Sequence, residues 1–149
     1  MIAIILLSLL GAVIAAVVGT FWYSNSTPMG KIQMKTLGCD NLTPAELKKR
    51  MEDAKPMMGK MYAAQILLSF LTSFAVSLIV VMGVRNGLTF GMALGFILMN
   101  WLCFIVPTIG SGILWSNTDK SIRWPRFFSE IGANLLTILL VAIIASFFI

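Results

Sequence analysis

The sequence predicts an all-α membrane protein, a four-helix transmembrane bundle with a short amphipathic interfacial helix between its first and second spans. Three observations predict it. Apolar residues make up 58% of the chain and charged residues 11%, against roughly 45–50% and about 25% in soluble domains. The charges are segregated, so long stretches carry almost none. Four of those stretches are long enough to cross hydrocarbon, since a helix rises about 1.5 Å per residue and a core of roughly 30 Å takes about 20 residues. Polar and apolar residues do not alternate with the period of a strand, which argues against a β-barrel. All 149 residues read as one membrane domain.

The first span is Ile2–Tyr23. It lacks a positively charged start, its apolar run exceeds the roughly 7–15 residues of a signal core, and no A-x-A-like site precedes its aromatic end, so it reads as a retained helix. It closes on Phe21-Trp22-Tyr23, where an aromatic belt marks the bilayer interface. Asn25-Ser26-Thr27-Pro28 then breaks the helix, and Lys31 and Lys35, one turn apart, read as a basic segment along the headgroups. In the same loop, 24–60, Thr43-Pro44-Ala45-Glu46 combines an N-cap, a proline at the first helical position and a capping-box glutamate. A short helix from Pro44 to about Ala54 is expected, with Leu47, Met51 and Ala54 as a narrow apolar stripe and Pro56 as its end.

The second span is Met61–Val84, and Arg85-Asn86-Gly87 turns into the third, Leu88–Trp115. Pro107 and Gly110-Ser111-Gly112 predict a kink in that third helix. The fourth span is Phe127–Ile149, the one span with a formal charge, Glu130. Trp115 and Trp124 flank the loop before it and, with Trp22, Tyr23, Lys31 and Arg126, form the expected set of interfacial anchors.

Orientation follows from the basic residues. Seven lie between the first two spans, Lys120, Arg123 and Arg126 lie between the last two, and Arg85 stands alone in the opposite turn. Cytoplasmic loops retain Lys and Arg, so both long loops are expected inside and both termini outside, in the cytoplasmic (inner) membrane. The net charge of +5 is then a matter of topology and anionic headgroups, not of nucleic acid. Cys39 and Cys103 have no metal-ligand spacing around them, and the chain has no histidine. No metal or cofactor is expected. Without a catalytic dyad, a paired-carboxylate constellation or a phosphate loop, no enzyme is expected either.

Two groups of residues stand out. Small residues recur every fourth position: Gly11, Ala15 and Gly19 on the first helix, Ser69, Ser73 and Ser77 on the second, and Gly87, Gly91 and Gly95 on the third. Such stripes let backbones approach in lipid. They serve packing within the bundle or, on the sharper reading, a homo-oligomer seam. The second group is polar and lies within the spans. Asn100-Trp101 falls near the midplane, Glu130 and Asn134 share a face of the fourth helix, and Gln65, Ser69, Thr72, Thr108 and Ser111 reach comparable depths from the same side. Asn100, Glu130, Asn134, Gln65 and Thr108 would line a polar cleft open to the cytoplasm. Otherwise they are interhelical glue, with Glu130 a first-turn residue favoured by the helix dipole and Arg126 its partner one turn away.

Trp22-Tyr23-Ser24, Gly30-Lys31, Met34 and Gly38, followed by a short surface helix, by Phe104, Val106 and Pro107 in the third helix and by Phe127-Phe128 before the fourth, resemble a family of small four-helix membrane proteins catalogued as domain of unknown function 1761. The resemblance covers most of the chain and implies architecture and membrane location, but no activity. In the family's pattern the last helix carries Asn-x-Gly-Tyr-His, where this chain has Glu130-Ile131-Gly132-Ala133-Asn134. The expected function is that of a non-enzymatic packing or accessory subunit, whose partners are the lipid bilayer and itself or other membrane subunits. The alternative is a small transporter or channel subunit using the polar cleft.

Overall fold

The computed structural model describes residues 1–116 and 119–149. Its elements, in chain order, are α1 (Ile2–Trp22), α2 (Pro28–Thr36), α3 (Pro44–Arg85), α4 (Phe90–Asn100), a π-helical turn (Trp101–Ile105), α5 (Val106–Leu114) and α6 (Lys120–Ser146). No strand occurs among the described residues. Four helical stretches are long and apolar enough to cross a membrane: α1, α3, the unit Phe90–Leu114 made by α4, the π turn and α5, and α6. The chain is an all-α four-span membrane protein.

The helix ends follow from local chemistry. Thr43 and Glu46 form a full capping box at the start of α3: the Glu46 carboxylate accepts from the Thr43 N–H at 2.8 Å, and the Thr43 hydroxyl accepts from the Glu46 N–H at 3.4 Å. Two helices stop on a glycine with positive φ. At Gly38 (φ 62) the Cys39 N–H donates to the Met34 carbonyl and the Gly38 N–H to Lys35; at Gly87 (φ 95) the Leu88 N–H donates to Gly83 and the Gly87 N–H to Val84. Both are Schellman stops, which favour a residue without a Cβ. Gly87 is therefore a helix stop rather than a member of a packing stripe on the third span.

The short helix Pro44–Ala54 is not a separate element. It is the beginning of α3, which runs 42 residues, with Pro56 inside it. Proline removes one hydrogen bond, a cost of about 3 kcal/mol in a helix interior. Here the site is exposed, so water can satisfy the carbonyl left without a donor, and strong helix formers flank it on both sides. From Lys48 to Leu68 every residue of α3 is exposed except the half-buried Met58, so this helix leaves the bundle well before its capped end.

Likewise α6 begins at Lys120, seven residues before the expected Phe127, and runs through Pro125. Asp119 caps it, its carboxylate accepting from the Ser121 N–H at 2.9 Å. That backbone bond, then the Ser121 side chain and more weakly the charge of Arg123, hold the Asp119 carboxyl below its ordinary value of 3.8. A depressed folded-state value means the cap contributes fully above the ordinary carboxylate range and is lost as pH falls through the lowered value.

In the third span, before the proline expected to kink it, the helix departs from α geometry in a π turn. The Val106 N–H reaches back to the Trp101 carbonyl, one residue further than an α-helix allows, just before Pro107 withholds its donor. The Thr108 hydroxyl donates to the Phe104 carbonyl at 2.6 Å, which supplies a donor within the disturbed turn.

The core joins Ile4 and Leu7 of α1, Val76, Val80 and Val81 of α3, Ile97 of α4, and Ile138, Val141, Ala142 and Ala145 of α6. These positions lie near the start of α1, the end of α3 and the end of α6. The tight packing is thus at the end of the bundle that holds the termini and the Asn86-Gly87 turn. α1 meets α3 at Gly11, where a Cβ would overlap the Ser73 side chain and stand 3.1 Å from Val141 Cγ2. Gly11 and Ser73 therefore serve packing within the bundle. Gly19, Gly91 and Gly95 do not, since a side chain at the first and third would meet nothing within 4 Å and at Gly91 only the Thr89 hydroxyl at 3.9 Å. Gly11→Val is expected to lower stability by roughly 1–3 kcal/mol, the range for overpacking, in thermal unfolding in detergent. Gly95→Val, with the same loss of glycine, should change it by less than about 0.5 kcal/mol.

Candidate functional site

The end of α1 does not simply stop at the interface. Trp22 is half-buried, and its indole N–H donates to the Ser129 hydroxyl of α6 at 3.2 Å. The ring comes close enough to α6 that a Cβ at Gly132 would stand 3.2 Å from Trp22 Cζ2. Tyr23 follows, with the Ser129 side chain as a hydrogen-bonding neighbour and Glu130 and Arg126 as the charges acting on it. Glu130 and Arg126 form an i,i+4 ion pair at 2.6 Å, each about a quarter exposed at 29% and 25%. The first-turn partnership expected of them is present, although Glu130 now lies in the third turn of a helix that starts at Lys120.

The chain then reverses tightly. Thr27 is the N-cap of α2, accepting from the Gly30 N–H at 2.9 Å while its own hydroxyl lies 2.7 Å from the Trp22 carbonyl and 2.8 Å from that of Ser24. A single hydroxyl proton serves whichever of the two it faces. Gly30 sits so close to the Ser24 carbonyl that a Cβ there would overlap it. Trp22-Tyr23-Ser24 and Gly30 are thus one physical unit, a corner in which α2 folds back from α1 and packs along α6.

That corner joins the residues of the aromatic-and-glycine motif to the opening turns of the last helix. The chain belongs to the DUF1761 family, proteins of unknown function. The family model matches residues 6–146, and so spans α1 through α6. Comparison with curated proteins and with solved structures finds no match. Within this DUF1761 chain, the motif positions have a physical explanation: Gly30 permits the corner, Gly38 ends α2, and Gly132 makes room for Trp22.

The residues expected to line a cleft are not brought together. Asn100 is exposed and its amide donates to the Phe96 carbonyl of its own helix at 2.9 Å. Gln65 is exposed and reaches Ser69 on its own helix at 3.4 Å, and Thr108 is exposed and bound to Phe104. Only Glu130 and Asn134 remain half-buried on one face of α6. The Asn134 Oδ1 is buried with no hydrogen-bond partner among the described residues.

Among the interfacial anchors, Trp115 is 89% exposed and Trp124 60%, and Lys31 is exposed, as an anchor should be. Trp22 differs, because its polar edge is spent on protein. Sequence reasoning passed over Thr27, Ser129 and Gly132. Thr27-Pro28 carried a usable signal, being an N-cap followed by a first-turn proline. Ser129 carried none, since its role depends on a residue more than a hundred positions away. Ser129→Ala is expected to destabilise the fold by about 1 kcal/mol or more, because the half-buried indole N–H loses its acceptor. Trp fluorescence should shift in parallel, and Ser26→Ala at the exposed Ser24–Ser26 contact should do neither.

Proposed function

We propose that this DUF1761 protein is a non-enzymatic packing subunit of an oligomeric membrane complex, joined to a second copy or to other membrane subunits through its third span. Burial is the observation that supports the reading. Over an apolar stretch of 18 residues in each span, 11% of the third lies inside the bundle, against 28%, 28% and 22% for the other three. Ala93 and Ile97 face the core, while Gly91 and Gly95, one turn apart, are exposed and open. Lipid supplies no hydrophobic force between helices, so an open pair of glycines is the kind of face on which another helix packs closely. Asn100, exposed on the same span, adds a polar group at hydrocarbon depth that a neighbouring subunit would satisfy. The absence of histidine from the sequence removes the commonest general base and supports a role without catalysis.

A second reading, a small transporter or channel subunit, draws on Asn134. A buried carbonyl oxygen without a partner among the described residues, one turn from Glu130, is a candidate wall for a polar pathway in an assembled oligomer. Four helices enclose no wide pore alone, so this reading also needs oligomers.

Native mass spectrometry of gently extracted protein tests the proposal. Wild-type protein should appear as a discrete oligomer or with stoichiometric foreign subunits, and Gly91→Leu with Gly95→Leu should release folded monomer. A wild-type protein that is monomeric on extraction would overturn the packing reading. If Glu130→Gln abolishes a solute flux in an intact assembly, the pathway reading takes its place. We further place both long basic segments on the cytoplasmic side, supported by ten of the eleven Lys and Arg residues lying there. In a chain with Cys39 and Cys103 replaced by Ser, a thiol introduced by Asn86→Cys should react with a membrane-impermeant maleimide added from outside.

A further inference from the structure

Between α5 and the opening turns of α6 lies a groove of about 330 Å³, within the size range of small-molecule pockets. Pro107, Gly110 and Leu114 line it from α5, and Arg123, Trp124 and Phe127 from α6. Gly110 shapes it. A Cβ at that position would stand 3.3 Å from Phe127 Cε2, so the Phe127 ring rests against bare backbone. Trp124 stands edge-on to Phe127, with ring centroids 5.8 Å apart and planes at 87°. The walls are apolar almost throughout, and the exposed rings of Trp115 and Trp124 mark this as the level where hydrocarbon gives way to headgroups.

The charge at that level is positive. Lys120, Arg123, Trp124 and Phe127 follow the spacing of one face of α6. The acid nearest them, Asp119, feels the charge of Arg123 but is committed to the Ser121 backbone N–H. Glu130 is engaged by Arg126. Arg123 lines the apolar groove, and Lys120 lies one turn before it on the same face of α6. A soluble phosphate would have no use for the apolar walls, and an apolar helix would have none for the cations.

We propose that this groove holds one anionic glycerophospholipid, with an acyl chain between α5 and α6 and the phosphate beside Arg123 and Lys120. The site rests on membrane insertion alone and is independent of any oligomer.

Purified protein in mild detergent is mixed with phosphatidylglycerol or with phosphatidylcholine of identical chains, and bound lipid is counted by native mass spectrometry. A basic residue near an anionic lipid surface is worth about 1 kcal/mol, or roughly fivefold in binding. Wild-type protein should retain one phosphatidylglycerol per chain at least about fivefold better than phosphatidylcholine. Arg123→Gln should remove that preference, while Arg123→Lys and the remote Lys31→Gln should keep it. Ser111→Phe, which places a ring in the groove, should lower retention of both lipids. The proposal is overturned if wild-type protein shows no preference, or if Lys31→Gln loses as much as Arg123→Gln, which would indicate general surface attraction. Displacement of the lipid by inorganic phosphate would also overturn it, because a site for the headgroup alone needs no groove. If Arg123→Gln loses its helical circular dichroism, Lys120→Gln and Ser111→Phe decide, and unchanged retention in both counts against the site.

Discussion

Close approach of α1 to α3 at Gly11 and Ser73 is the constraint from which the rest of the arrangement follows. In lipid, helices gain nothing by hiding apolar surface from one another, and association depends on fit and on polar contacts. At Gly11 the missing side chain admits Ser73, and Val141 of α6 closes the same point. Three spans meet there. Ser8 and Ser77 are fully buried nearby along the same two helices, Ser8 donating to the Ile4 carbonyl of its own helix at 2.6 Å. Once α1, α3 and α6 are fixed in this way, the third span meets the bundle along Ala93, Ile97 and Ile113, with Phe90, Leu94, Trp101 and Ile105 half-buried beside the core. Its glycines are left on the outside.

The opposite end of the bundle is held by other means. The main core does not reach there, and α3 is exposed from Lys48 to Leu68 except at the half-buried Met58. Trp22 supplies the fixed point by spending its ring on Gly132 and its N–H on Ser129. Gly30 then lets α2 fold back on the carbonyl of Ser24. The short aromatic sequence at the end of α1 is therefore more than a bilayer marker. It ties the first loop to the last helix and so sets where Lys31, Lys35 and the Arg126–Glu130 pair lie relative to one another.

Much of this was legible in the sequence because membrane spans are written in composition. Their number and approximate positions, the capping box at Thr43 and Glu46, and the disturbance before Pro107 all depend on residues close together in the chain. The continuous α3 was not legible. Proline is costly in a helix interior, but the cost falls when the freed carbonyl faces water, and exposure of Pro56 is a tertiary fact. Gly87 was assigned to a packing stripe because spacing alone cannot show a positive φ. The polar residues misled for a related reason. Asn100 was placed by depth near the midplane, and Gln65 and Thr108 at the level of Glu130, but depth says nothing about azimuth, and each turns outward and bonds within its own helix. The corner at Trp22 needed Ser129 and Gly132, which no local pattern connects to it.

A bundle in which α1, α3 and α6 interlock and the third span stands out, with Gly91 and Gly95 outward, is an incomplete solution to packing in lipid unless something covers that face. Cysteine cross-linking along the third span in native membranes tests this most directly. Single cysteines are introduced by Gly91→Cys, Gly95→Cys, Ala93→Cys and Ile97→Cys in a chain with Cys39 and Cys103 replaced by Ser. The account predicts cross-linked products to a second chain or to a foreign subunit at 91 and 95 and none at the buried 93 and 97. Equal products at all four positions, or none at 91 and 95, would contradict it.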